Sequence, residues 1–271
     1  MERVGRVDRG DGVELAWARL EGQGPCVVFL PGFNSDMAGS KATALRDWCG
    51  AHGRAMLRLD YSGHGASGGA FTDGSIGRWL ADALFLIDRL VEGKMLLVGS
   101  SMGGWIGLLI ALRRKAQAVA LVGIAAAPDF TELLMWQGMT ADERAALMAT
   151  GRREVPSQYG DPYVITRGLI EDGRTHQLLG GRIALDCPIR LLQGQLDEDV
   201  PWRHALMIAE LVDSVDVQVT LIKDGDHRLS READIALLCR TVAALLGEDG
   251  GETGAVGGVA PVIGEGLLGL P

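Results

Sequence analysis

The chain has 271 residues, 47% hydrophobic and 23% charged, a balance that suits one large α/β domain or two small ones rather than a disordered chain. Its formal net charge of −9 disfavours a nucleic-acid or anionic-membrane partner. No apolar run is long enough to span a membrane, no hydrophobic leader follows Met1, and Cys26, Cys49, Cys187 and Cys239 form no C-x-x-C pair. The expectations are a cytoplasmic protein with free thiols, no metal and no cofactor.

Val4–Asp8 and Val13–Leu20 alternate apolar and polar residues around Arg9-Gly10-Asp11-Gly12, which predicts an antiparallel hairpin. Cys26–Leu30 is a continuous apolar run, hence a buried central strand, and Pro31–Ser35 stops it with turn residues. A helix is expected over Ala42–His52 and a strand over Ala55–Leu59. Asp60 then leads into a glycine-rich turn, Gly63–Gly69, in which His64 reads as structural. A long amphipathic helix follows from Ser75 to about Val91, with Trp79, Ala83, Leu86, Ile87 and Leu90 at helical spacing. The run Lys94–Val98 is the next strand, and Trp105–Arg114 is helix-compatible. Ala118–Ala125 is a further apolar strand. Strands alternating with helices in this way imply a mostly parallel sheet covered on both faces.

The rhythm breaks between Pro128 and Asp186. This stretch reads as a small helical lid inserted over about residues 130–186, with Thr140 to Glu143 as a capping box. Leu133 to Trp136 are four consecutive apolar residues, too many for one stripe of a surface helix. Met135 and Trp136 are therefore expected to line an acyl-binding wall; packing of a helix pair onto the core is the alternative. The rhythm resumes with strand Pro188–Gln193, helix His204–Leu211, strand Val215–Lys223 and helix Arg231–Leu246. Residues 247–271 are glycine-rich without apolar periodicity and read as a disordered tail.

Between the strand ending at Val98 and the helix beginning near Trp105 sits G-x-S-x-G, with Gly99 and Gly103 flanking Ser101. A serine on a sharp strand-to-helix turn takes a strained backbone that lifts its hydroxyl above the sheet, and only glycine fits two positions to either side. The following helix directs its positive end to the same spot. Such a serine needs a histidine to take its proton and a carboxylate to orient the histidine. In elbow enzymes they follow in the order serine, acid, histidine. His227 lies in a loop after the last strand, at the carboxyl edge where open α/β sheets build their sites. Asp197, in Gly194–Pro201, is the expected acid, with Asp199 as the alternative. The Phe33 and Met102 N–H groups are the expected oxyanion donors.

Five stretches resemble an α/β-hydrolase-fold serine hydrolase over residues 1 to about 246. They are Phe29–Phe33, Arg58–Gly63, Val98–Trp105, Asp197–Trp202 and Asp226–Arg228. Trp202 after Val-Pro and Arg228 after the histidine point within that superfamily to the palmitoyl-protein thioesterases that also cleave acyl glucuronides. The resemblance implies a mostly parallel sheet of about eight strands, a Ser101–Asp197–His227 triad, and ester or thioester hydrolysis through an acyl-enzyme. The expected partner is a small ester or thioester, or an acylated protein. Two other readings stay open: an aminopeptidase-like peptidase of the same fold, and a non-catalytic ligand-binding protein.

Overall fold

The computed structural model describes residues 1–157 and 160–248; from residue 249 onward the expected tail lies outside the described residues. Ten strands and seven α-helices follow one another there: β1 (Glu2–Asp8), β2 (Glu14–Leu20), β3 (Gln23–Leu30), α1 (Ser40–Ala51), β4 (Arg54–Leu59), α2 (Ile76–Leu90), β5 (Met95–Ser100), α3 (Met102–Arg113), β6 (Ala118–Ile124), α4 (Ala141–Thr150), β7 (Arg152–Ser157), β8 (Gly160–Thr166), α5 (Arg167–Arg174), β9 (Ile189–Gly194), α6 (Arg203–Leu211), β10 (Val217–Ile222) and α7 (Glu232–Leu245). Eight strands form one sheet in the order β1-β2-β4-β3-β5-β6-β9-β10. β1–β2 and β2–β4 pair antiparallel, and every later pairing is parallel.

The apolar strand runs are buried on both faces because their side chains alternate. Cys26, Val28 and Leu30 join one core with Trp79, Leu86, Trp105 and Ile110, which come from α2 and α3. Val27 and Phe29 join a second core on the opposite face with Leu45, Cys49 and Leu238, from α1 and α7. This places the carboxyl ends of β3, β5, β9 and β10 along one edge. The loops leaving that edge carry the chemically interesting residues.

The insertion between β6 and β9 departs from the helical expectation. It opens with a π-helical turn, Thr131–Trp136, and then α4, whose capping box between Thr140 and Glu143 is present. Next comes an antiparallel strand pair, β7 and β8, in register from Arg152↔Thr166. These strands are short and carry Pro156 and Pro162, which argue against strands in a sequence, while Val164, Ile165 and Thr166 favour them. Asp129 fastens the end of the insertion to its beginning: its two carboxylate oxygens accept the Leu178 and Leu179 N–H groups, both at 2.8 Å.

Candidate active site

Ser101 sits between β5 and α3 with φ 54° and ψ −118°, a left-handed conformation that a non-glycine residue adopts only where its surroundings force it. The flanking glycines show what forces it. A Cβ on Gly99 would lie 2.2 Å from the Gly103 carbonyl oxygen, and one on Gly103 would lie 2.0 Å from that of Leu30. The elbow is laced to β6, since the Ser101 N–H donates to Ile124 O at 2.8 Å and Ser101 O accepts from the Ala127 N–H at 3.1 Å. α3 begins at Met102, directly after the serine rather than at Trp105, so the Met102 N–H is one of the first-turn donors that no helical carbonyl satisfies.

His227 follows β10, and its Nδ1 lies 2.9 Å from Asp197 Oδ2. The Asp197 side chain is fully buried. Its Oδ1 accepts from the Asp199 and Val200 N–H groups at 3.0 and 2.8 Å, and its Oδ2 also accepts from Gln193 Nε2 at 2.8 Å. Every partner is a donor, which a carboxylate satisfies and an amide does not. Asp199, the alternative acid, contributes its backbone N–H to this arrangement. Asp197, Asp199 and His227 bring potential ligand atoms within 4.8 Å of one another. Both Asp197 oxygens are already committed to donors, so the geometry suits an oriented imidazole better than an ion.

Ser101, His227 and Phe33 line one cavity of about 440 Å³. Gly32 brings the β3–α1 loop against the elbow: a Cβ there would lie 3.4 Å from Ser101 Cβ. The Phe33 ring is set edge-on to Phe71, Phe130 and Tyr163, with centroids 4.9 to 5.7 Å apart. Phe130, Leu134, Met135 and Tyr163 carry the apolar wall onward. Of the two residues expected on an acyl wall, Met135 lines this cavity. Trp136 is not among the lining residues, because successive side chains on a helical turn diverge. It packs instead with Leu147 and Ile170 of the insertion's own small core, with the Arg174 guanidinium 4.6 Å from its ring.

Three contributors were not singled out from sequence as parts of the site. Gln193, buried at the end of β9, binds Asp197; its signal is a polar side chain closing an apolar strand. Tyr163 belongs to β8, which the sequence reading did not contain. Lys41 lines the cavity, donates through Nζ to the Arg228 carbonyl beside His227, and is pushed down to about 8 chiefly by burial, with the Arg228 charge adding to it.

A family model described as "Serine aminopeptidase, S33" (Hydrolase_4) matches residues 24–167. The rat protein named palmitoyl-protein thioesterase ABHD10, mitochondrial, is 40% identical over 86% of this chain and 78% of its own length. The structure of mouse α/β hydrolase domain-containing protein 10 superposes with a TM-score of 0.84 at 37% identity, covering 91% of this chain and 99% of that one. A putative hydrolase from Agrobacterium vitis S4 superposes with a TM-score of 0.86 at 41% identity, covering 90% and 98%. The expected cytoplasmic location is overturned by these relatives, since the rat, mouse and bovine proteins are all named mitochondrial. Among the described residues no helix is long and apolar enough to cross a membrane. By sequence and by fold, the chain is a hydrolase of the α/β-hydrolase family and belongs to the group of the ABHD10 palmitoyl-protein thioesterases.

Proposed function

We propose that this protein hydrolyses acyl thioesters and carboxylic esters through a Ser101 acyl-enzyme. The observation that carries the reading is the His227 Nδ1–Asp197 Oδ2 hydrogen bond of 2.9 Å at the wall of the cavity that also holds the strained Ser101. With the proton on Nδ1 facing the carboxylate, Nε2 of His227 is the base that takes the Ser101 Oγ proton as Oγ attacks the acyl carbon. The Phe33 and Met102 N–H groups receive the oxyanion. Its collapse breaks the bond to the leaving thiol or alcohol, which takes the proton from His227. Water, deprotonated by the same nitrogen, then releases the carboxylic acid and restores Ser101. The acyl chain lies along Phe33, Phe130, Leu134, Met135 and Tyr163, and the acylated molecule is a small ester, a small thioester or an acyl-cysteine on a protein.

The test is a fluorophosphonate probe followed by three substrate classes: p-nitrophenyl esters of increasing chain length, acyl thioesters and aminoacyl anilides. Labelling at Ser101 is expected, with loss of about 10⁶-fold in kcat in Ser101→Ala. Longer acyl chains gain up to ~0.8 kcal/mol per buried methylene, and Met135→Ala flattens that gain while sparing the acetate. Absence of labelling in folded protein overturns the hydrolase reading. Anilides cleaved faster than thioesters and esters put the aminopeptidase reading in its place.

A further inference from the structure

The β3–α1 loop, which carries the Phe33 N–H, is held by groups outside the triad. The Ser35 N–H donates to Gly32 O at 3.2 Å, the Asn34 N–H to His64 Nε2 at 3.2 Å, and the Met37 N–H to Asp60 Oδ1 at 2.7 Å. The Phe33 N–H finds no acceptor among the described residues. In a trans peptide the N–H points opposite to the carbonyl of the same plane. The bond into Gly32 O therefore aims the Phe33 N–H away from Ser35, and the bond from Asn34 fixes the plane that follows. Asn34 needs this support because its φ is 53°, in the left-handed region that only a few non-glycine residues occupy.

His64 is built to supply an acceptor there. It is 4% exposed and wedged between the rings of Tyr61, Phe71 and Trp79, with centroids 5.6, 5.1 and 5.1 Å away. Its Nδ1 lies 3.2 Å from the Ser62 carbonyl, which accepts the single proton of a neutral imidazole and leaves Nε2 as the acceptor. Burial lowers its pKa, although the Asp82 and Asp36 charges and the Ser62 carbonyl work against that shift. The ring is thus kept in the neutral form. Asp60 ties the same turn to the same loop, because its second oxygen accepts the Ala66 N–H at 2.8 Å.

We propose that His64 is a positioning residue of the oxyanion hole, its Nε2 accepting the Asn34 N–H so that the neighbouring Phe33 N–H stays aimed at the acyl oxygen above Ser101. The inference rests on the hydrolase reading above and assigns the glycine-rich turn a part in the chemistry of the loop opposite it.

Three substitutions separate the ring's two nitrogens. His64→Gln places an amide oxygen near the Nε2 position, His64→Asn reaches only to the Nδ1 position, and His64→Leu fills the space with no acceptor. Each is assayed for kcat and KM on p-nitrophenyl butyrate and for inhibition by an alkylboronic acid, whose tetrahedral adduct presents an oxyanion. Complete loss of one oxyanion donor costs about 10²–10³-fold, so His64→Leu is expected to lose ~10-fold or more in kcat and a comparable factor in boronate affinity. KM stays within about threefold because the contact matters to the transition state and not to ground-state binding. His64→Gln regains most of the loss and His64→Asn does not. If His64→Leu does not fold, the Gln–Asn pair still decides. A kcat for His64→Leu near that of wild type, a KM that rises as far as kcat falls, or His64→Asn matching or exceeding His64→Gln overturns the proposal. Wild-type protein that is not labelled by a fluorophosphonate defeats the hydrolase reading instead, so the two failures are distinct.

Discussion

Gly194 and Gly225 meet backbone to backbone, and this contact delivers Asp197 to His227. A Cβ on Gly194 would lie 2.3 Å from Gly225 O, and the Leu196 N–H donates to that same oxygen at 2.9 Å. The loop after β9 and the loop after β10 are thereby fastened two residues before the histidine. Gly194→Ala has only backbone to push against and is expected to separate the loops. A displacement of about 1 Å in a catalytic group costs on the order of 10²-fold, which should appear in kcat more than in KM. Gly107→Ala is the control: its Cβ meets only side-chain carbons of Leu30 and Leu121 at 3.4 and 3.5 Å, and it should retain activity.

Asp197→Asn is expected to harm both activity and stability. Both carboxylate oxygens accept hydrogen bonds from two donors each, so the amide nitrogen faces donors whichever way it is turned. Leaving such a buried group unsatisfied costs about 1–3 kcal/mol, readable as a lower Tm. The imidazole also loses the acceptor that selects its tautomer, and the corresponding change in a serine protease lowers kcat about 10⁴-fold. A variant with near-native kcat would remove Asp197 from the proposed machinery.

Lys41 should be chemically separable from the other lysines, Lys94, Lys115 and Lys223. Burial pushes it down to about 8, whereas an ordinary lysine titrates near ~10.4. Competitive acetylation with trace acetic anhydride, read by peptide mass spectrometry across a pH series, should give Lys41 an inflection near that lower value. An inflection among the ordinary lysines would mean that the ammonium is better hydrated than its place in the cavity implies.

Two buried histidines make stability fall with acid. Burial lowers the pKa of His64 and of His204 below the ordinary value, so below about pH 6.5 the unfolded chain binds protons that the native one refuses. Their contribution is complete above that pH and is lost as the pH falls toward the lowered native values. Asp60 and Asp129, raised by burial, act in the opposite sense, starting from an ordinary carboxylate value of ~3.9. The urea midpoint is therefore expected to drop between pH 7.5 and 5.5, and His64→Gln should lessen the drop. A midpoint that is flat or rises on acidification over that interval contradicts this account.

Where one residue type in one pattern has one physical use, the sequence was readable. The apolar run Cys26–Leu30 could only be a strand buried on both faces. Gly99 and Gly103 bracket Ser101 because no other residue fits against the backbone there. Asp197 was preferred to Asp199 as the acid, and the structure gives the His227 contact to Asp197. The insertion was harder because its order depends on contacts distant in sequence. Pro156 and Pro162 obscured β7 and β8, and with them Tyr163. Trp136 was assigned a wall that its neighbours occupy, since a run of apolar residues does not say which of them turns inward. His64 reads as structural from sequence, because its partner, the Asn34 N–H, lies thirty residues away and no local pattern announces it.

The chain keeps its proposed reacting groups and much of the cavity's apolar wall on different pieces. Ser101, Asp197 and His227 stand on loops braced by the eight-stranded sheet, whereas Phe130, Leu134, Met135 and Tyr163 come from the segment that leaves the sheet after β6 and returns at β9. That segment is clasped at its two ends by Asp129 and carries a small core of its own. Under the proposed function, selectivity is graftable: exchanging the segment between relatives, with Asp129 retained, is expected to transplant a preference among acyl groups onto an unchanged Ser101. On that reading, what the enzyme hydrolyses can be retuned without changing how.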